Sequence, residues 1–351
     1  MPAITDKGSN ILVTGANGFI GTWIVGDLLE RGYNVRAAVR SEDKGRHLLD
    51  IYKKYENKLK LIAVGDMDAK GAWDEPVKGV DGVIHTAAAV HQHAKTPEEI
   101  IEPAVQGVLG LLNSVHKYGT SVKRIVFTSS CATITKGYSS VPVSVSEEDW
   151  NDAAVKECEE KGANASPLDM YCASKTLSER AAWDWYNKHK SEISWDIVTL
   201  LPPWVFGPMR HHVPSLSAFG GSNRYLYNAI TLGDFLGDSP LSTPGHGVCD
   251  VRDISEGHIR ALEIPEAGGE RILLVQSRFV WQDAVDAAHA VKPSPWVSHT
   301  APFVRGEPDG ERVRNVTWAP EKEQRILGVK FRSIEETMKD ILEDYEKHGW
   351  A

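Results

Sequence analysis

Three glycines spaced three apart, Gly15, Gly18 and Gly21, follow directly on an apolar run, NILVT (10–14), and open a stretch with a helical pattern. A strand that turns this tightly into a helix needs a residue without Cβ at the first position. A second glycine lets backbone approach a pyrophosphate at the helix N-terminus, and a third lets helix and strand pack closely. The segment TGANGFIG, with Gly15, Asn17, Gly18, Phe19, Ile20 and Gly21, is therefore a candidate dinucleotide cradle. Its spacing is GxxGxxG rather than GxGxxG, so context has to carry the assignment, with a ligand-free glycine-rich loop as the alternative.

That context is a strand–helix alternation. Further strand candidates are NVRAAV (34–39), LKLIAV (59–64), GVIHTA (82–87), RIVFT (124–128) and WDIVTLL (195–201). Ile20, Ile24, Leu28 and Leu29 share one helical face between the first two, and Gly32 is a plausible C-cap. Nearly continuous apolar strands separated by helices predict a parallel sheet covered on both faces. After Leu200 the texture changes: residues 202–247 are rich in Pro, Gly, Ser and aromatics, RILLV (271–275) could return to the sheet, and 333–345 reads as an amphipathic helix. The expected division is a nucleotide-binding part from 1–201 with segments of about 248–276, and a smaller substrate part from 202–247 and 277–351.

A formal net charge of −9 without a dense Lys/Arg cluster argues against nucleic acid or an anionic membrane as partner. Residues 1–10 are polar, no transmembrane run is visible, and the four cysteines show no CxxC pairing. A cytoplasmic protein with reduced thiols is expected. Monomer and homodimer are both open.

The second strand ends without an acid to hold ribose hydroxyls. Arg40 follows it, with Lys44 one turn on, and both could reach a 2′-phosphate, which favours NADPH (NADP+) over NADH. A solvated basic turn is the other reading, since Glu42 and Asp43 dilute the charge. Asp66, next to Met67 after the third strand, could accept from an adenine amino group or simply shape a turn.

Residues 166–183 read as a helix started by Ser166, Pro167 and Asp169. Tyr171 and Lys175 stand at i, i+4 and share a face, and an ammonium near a phenol lowers the phenol pKa, as a proton donor to a carbonyl oxygen requires. Ser129 and Ser130 end the fifth strand, at the edge where open α/β sheets bind ligands. Ser130 could orient the carbonyl, with strand-end capping as the alternative.

In this order along the chain, VTGANGFIGTWIVGDLLERGYNVRAAVR, GVIHTAA, KRIVFTSS, MYCASKTLSE, LPPWVFGP and VCDVRDISEGHI make a specific set. The sequence resembles the extended short-chain dehydrogenase/reductase family, in the branch of dihydroflavonol reductases, cinnamoyl-CoA reductases and fungal aldehyde or methylglyoxal reductases. The resemblance implies a Rossmann-type doubly wound α/β fold with a smaller discontinuous C-terminal substrate domain. It implies a Ser130–Tyr171–Lys175 triad, with Lys175 also on the nicotinamide ribose. It implies that Arg40 and Lys44 select NADPH, that Thr86, Ala87 and Ala88 line the cofactor, and that Pro202 and Val205 lie beside the nicotinamide. The expected activity is that of a carbonyl reductase, an oxidoreductase turning a small-molecule aldehyde or ketone into an alcohol.

Departures from relatives bear on the rivals. Ser130 is followed by Cys131-Ala132-Thr133-Ile134, without the Tyr-Gly or adjacent carboxylate common in sugar-nucleotide epimerases and dehydratases. Gln106-Gly107 stands where many relatives carry Asn-Gly, which puts a proton relay there in doubt, and Asn113 reads as structural. A non-catalytic dinucleotide sensor is the rival from another class.

Val90, Cys131, Trp204, Phe206, His211 and His212 are candidate substrate-pocket residues, as is Phe219; core packing is the equal alternative for the three aromatics. His211 and His212 fall in the segment expected to roof the pocket. His91 and His93 lack a third ligand at suitable spacing, so no metal is expected.

Overall fold

The computed structural model describes residues 3–88, 94–137, 139–234, 240–245, 247–319 and 321–350. The chain runs β1 (Asn10–Thr14), α1 (Phe19–Glu30), β2 (Asn34–Val39), α2 (Glu42–Ile51), β3 (Leu59–Ala63), β4 (Gly82–His85), α3 (Glu98–Tyr118) and β5 (Arg124–Thr128). It continues through β6 (Val143–Val145), α4 (Asp152–Lys161), α5 (Pro167–His189), β7 (Asp196–Leu201), β8 (Trp204–Phe206) and α6 (Gly221–Leu232). The last elements are β9 (Val248–Asp250), α7 (Val251–Glu263), β10 (Arg271–Leu273), α8 (Trp281–Ala290), β11 (Val316–Trp318) and α9 (Ile334–Lys347).

Seven parallel strands form one sheet in the order β3-β2-β1-β4-β5-β7-β10. This is the Rossmann-type doubly wound α/β arrangement. Ile11, Leu12 and Val13 are all 0% exposed, as expected of a strand covered on both faces. One face packs on α1 and α7 through Ile24, Leu28, Ile254 and Leu262. The other packs on α3 and α5 through Leu111, Leu112 and Trp185. A third buried cluster, including Phe206, Leu226, Trp281, Trp296 and Tyr345, is drawn from residues beyond 205.

The strand order reverses between β1 and β4, which opens a crevice at their C-terminal ends. β4 ends two residues before the sequence suggests, because Thr86 and Ala87 leave the sheet and bond back to Thr14. α5 runs on to His189, since neither Gly nor Pro interrupts residues 168–189. Two short parallel pairs lie outside the main sheet, β8 with β9 and β6 with β11. The second ties residues 143–145 to residues 316–318, across the division expected from sequence. At the opposite end of the sheet, Arg124 and Asp196 form a buried bidentate pair at 2.6 and 2.9 Å. No described helix is long and apolar enough to cross a membrane.

Candidate active site

The glycine turn is built as its spacing requires. Gly15 has φ +62°, and a Cβ there would lie 2.9 Å from both the Ala87 amide nitrogen and Thr86 Oγ1. A Cβ on Gly21 would stand 2.2 Å from the Gly15 carbonyl oxygen. Asn17, Gly18, Phe19 and Ile20 carry the chain between them into α1. Gly18 caps that helix without a side-chain bond and its first turn holds no acid, so the N-terminal amides keep both their donors and their positive end for an anion. These features suit a dinucleotide pyrophosphate.

At the end of β2, Arg40 and Lys44 are exposed, and neither forms an ion pair with a described residue. The neighbouring acid Asp43 is taken by Arg46 at 2.9 Å. Asp66 is exposed, with Oδ1 accepting from the Asp68 amide at 3.2 Å, a turn-shaping bond that leaves its other oxygen available. Thr86 Oγ1 donates to the Thr14 carbonyl at 2.7 Å.

Ser130, Tyr171 and Lys175 come together at this edge. Ser166 accepts from the Asp169 amide at 3.1 Å and starts α5, which carries Tyr171 and Lys175 on one face. Ser130 follows β5, and its Oγ accepts from the Ala132 amide at 3.1 Å and lies beside the Tyr171 phenol. Tyr171 and Lys175 line a cavity with Met67, Ala87, Ala88 and Gly107. Burial pushes the phenol up to about 12, and the neighbouring Ser130 hydroxyl offsets this in part. Sequence spacing alone led to the opposite direction, a phenol lowered by Lys175; desolvation is the larger effect here. Burial also draws Lys175 below the usual lysine range, and Glu179 acts against that shift.

Of the pocket candidates, two aromatics follow their core-packing alternative and the two histidines are placed otherwise than expected. Phe206 is 1% exposed among Phe279 and Trp281, and Phe219 is 4% exposed against Tyr227, Tyr345 and Trp350, so both are packed in the third cluster. Trp204 is half-buried between Tyr225 and Trp281. His211 and His212 do not roof a pocket over Tyr171. They pack toward α1 and α2, His211 against Phe19 and His212 against His47, because Trp23, Asp27 and His47 hold the 208–210 backbone and Arg210.

Pro202 and Val205 are buried, with the Pro202 carbonyl accepting from the Cys131 amide at 3.0 Å. Cys131 is 2% exposed, and burial raises its thiol pKa. Val90, His91 and His93 lie outside the described residues. Among the described residues no group of three His, Cys, Asp or Glu is arranged to hold a metal. Gln106 is exposed while Gly107 faces the cavity, and Asn113 accepts from Trp185 Nε1 at 2.9 Å in a structural role.

Sequence reasoning missed Glu179, Thr14 and His85. Glu179 was findable as the next residue at i+4 from Lys175 on the same helical face. Thr14 and His85 carried no local signal, as their contact joins two strands.

Residues 11–275 match the NAD dependent epimerase/dehydratase family, and the chain belongs to that family, among the extended short-chain dehydrogenases/reductases. Its relatives include reductases. The ketoreductase azaE of Aspergillus niger is 34% identical over 342 residues, covering 95% of this chain and 96% of that protein. Dihydroflavonol 4-reductase of Callistephus chinensis is 32% identical over 356 residues, covering 98% and 88% respectively. The crystal structure of yeast methylglyoxal/isovaleraldehyde reductase Gre2 complexed with NADPH matches with a TM-score of 0.83 at 28% identity, covering 97% of this chain and 100% of that one.

Proposed function

We propose that this protein is an NADPH-dependent carbonyl reductase, converting a small-molecule aldehyde or ketone to the alcohol in the cytoplasm. The observation that carries the reading is the meeting of Ser130, Tyr171 and Lys175 beside an uncapped helix N-terminus at the sheet's switch point. Relatives named as ketoreductase and NADPH-dependent methylglyoxal reductase support it.

NADPH, when bound, supplies the hydride. The amides of the glycine turn would hold its pyrophosphate, Arg40 and Lys44 its 2′-phosphate, and Asp66 and Met67 its adenine side. Thr86, Ala87, Ala88, Pro202 and Val205 would line its path, and Lys175 would bond the ribose. Ser130 donates a hydrogen bond to the substrate oxygen. Tyr171, kept protonated by burial, gives that oxygen its proton, and Lys175 stabilises the phenolate left behind. Residues 202–247 and 277–351 form the substrate side.

The test is NADPH oxidation over a panel of aldehydes and ketones, with NADH in parallel. NADPH-preferring turnover is expected. Binding of either cofactor without turnover on any carbonyl would overturn the reductase reading in favour of an epimerase or a sensor.

A further inference from the structure

Glu179 sits one turn beyond Lys175 on α5 and is 4% exposed. Its carboxylate is held from three strands or their ends: Ser129 Oγ donates at 2.6 Å, Thr199 Oγ1 at 2.9 Å and Arg271 Nε at 2.8 Å. Trp183 Nε1 adds a longer bond at 3.3 Å. Arg271 is anchored in turn. It donates to the carbonyls of Glu147 and Asp149 and to Thr133 Oγ1, and its guanidinium lies 3.7 Å over the Trp150 ring.

Side chains at i and i+4 on a helix can pair directly. Lys175 and Glu179 line the same cavity, yet Lys175 forms no ion pair with a described residue. The donors around Glu179 hold its oxygens where they are. Glu179 is the one acid among the described residues lining that cavity.

We propose that Glu179 is a positioning residue: clamped by Ser129, Thr199 and Arg271, its charge keeps Lys175 an ammonium while leaving the Lys175 N–H donors free for Tyr171 and the cofactor ribose. This rests on the catalytic reading of Tyr171 and Lys175. The other groups around Lys175 do not supply that charge. Tyr171 on the same helix is protonated, His85 on β4 is held neutral with a pKa of about 3, and the Cys131 thiol is pushed up by burial. The cavity-lining residues of α3, among them Ile100, Pro103, Ala104 and Val108, carry no titratable group. Arg271 on β10 is a cation already bonded to Glu179.

The experiment compares pH profiles of kcat/KM, NADPH affinity and Tm for the wild type, Glu179→Gln, Thr199→Val and Lys175→Met. Glu179→Gln keeps the shape and removes the charge, so the alkaline limb should move down by about one pH unit. Thr199→Val keeps the charge and removes a clamp, so the carboxylate can turn toward Lys175; the limb should move up and NADPH affinity should fall. A Glu179→Gln profile that superimposes on the wild type, with only Tm lowered, would make Glu179 a structural tie and overturn the proposal. Should that variant not fold, an unshifted Thr199→Val profile would do the same. Wild-type turnover in Lys175→Met would instead bring down the catalytic reading itself.

Discussion

Thr14 Oγ1 and His85 Nδ1 lie 2.9 Å apart at the C-terminal ends of β1 and β4, the strands between which the sheet order reverses. Burial holds His85 neutral, with a pKa of about 3, and its Nδ1 shares a hydrogen bond with the Thr14 hydroxyl. Thr14 Oγ1 in turn accepts from the Ala87 amide at 3.1 Å. This bond sets the backbone that closes over Gly15. Thr14→Val should leave the buried His85 Nδ1 and the part-buried Ala87 amide without this partner, costing ~1–3 kcal/mol of stability, and should weaken NADPH binding. Thermal denaturation and fluorescence titration would check both, and an unaltered affinity would remove Thr14 from the cofactor site.

Gly21→Ala tests the cradle. The added Cβ would meet the Gly15 carbonyl at 2.2 Å, and backbone rather than a mobile side chain must give way. A destabilisation of ~1–3 kcal/mol from overpacking is expected, together with loss of NADPH binding by calorimetry. A variant that binds normally would show that α1 does not need this close approach.

Arg40→Ala should raise the KM for NADPH while leaving that for NADH nearly unchanged. Losing a hydrogen bond to a charged phosphate corresponds to ~1.5–3 kcal/mol, on the order of 10- to 100-fold. Equal effects on both cofactors in steady-state kinetics would argue against a 2′-phosphate contact.

Tyr171→Phe should lower kcat by about 10²- to 10⁴-fold, the range of general acid catalysis, with NADPH affinity largely kept. Single-turnover kinetics would separate chemistry from binding. A near-wild-type rate would mean that the proton comes from elsewhere.

Stability should fall as the solution is acidified from neutrality. His85, His211 and His258 are drawn by burial from 6.5 to about 3, 4 and 4. Between those values and 6.5 the unfolded chain binds protons that the folded chain refuses, so each group removes up to about 1.4 kcal/mol per pH unit as pH drops through that window. Asp27, Asp196 and Asp253, raised by burial, bind protons first in the folded state and offset part of the loss. His258 Nδ1 donates to the Ile254 carbonyl at 2.7 Å, leaving Nε2 to accept from Thr128 at 2.6 Å. His258→Gln should therefore flatten the fall of Tm between neutral pH and pH ~5. A slope equal to that of the wild type would exclude His258 as a contributor.

The main sheet was readable from the chain because its strands are buried on both faces. Runs such as Ile11–Val13 and Ile125–Phe127 need no partner to be recognised as apolar. Short strands such as Val143–Val145 escaped, because residues 143–145 are mostly exposed and their pairing partner lies at 316–318. The aromatics after residue 203 were ambiguous for a related reason. Composition does not distinguish Phe206, buried against Trp281, from Trp204, half-buried beside Tyr225.

By itself the sequence determined the glycine turn, the shared face of Tyr171 and Lys175, and the place of Ser130 at a strand end, because each depends on spacing within one or two elements. Only the tertiary structure decided that Tyr171 is held protonated, that His211 packs on Phe19, and that Glu179 is bonded by Arg271. Desolvation and the partners of buried polar groups are set by side chains that arrive from distant strands, and those distances are settled only when the chain is packed.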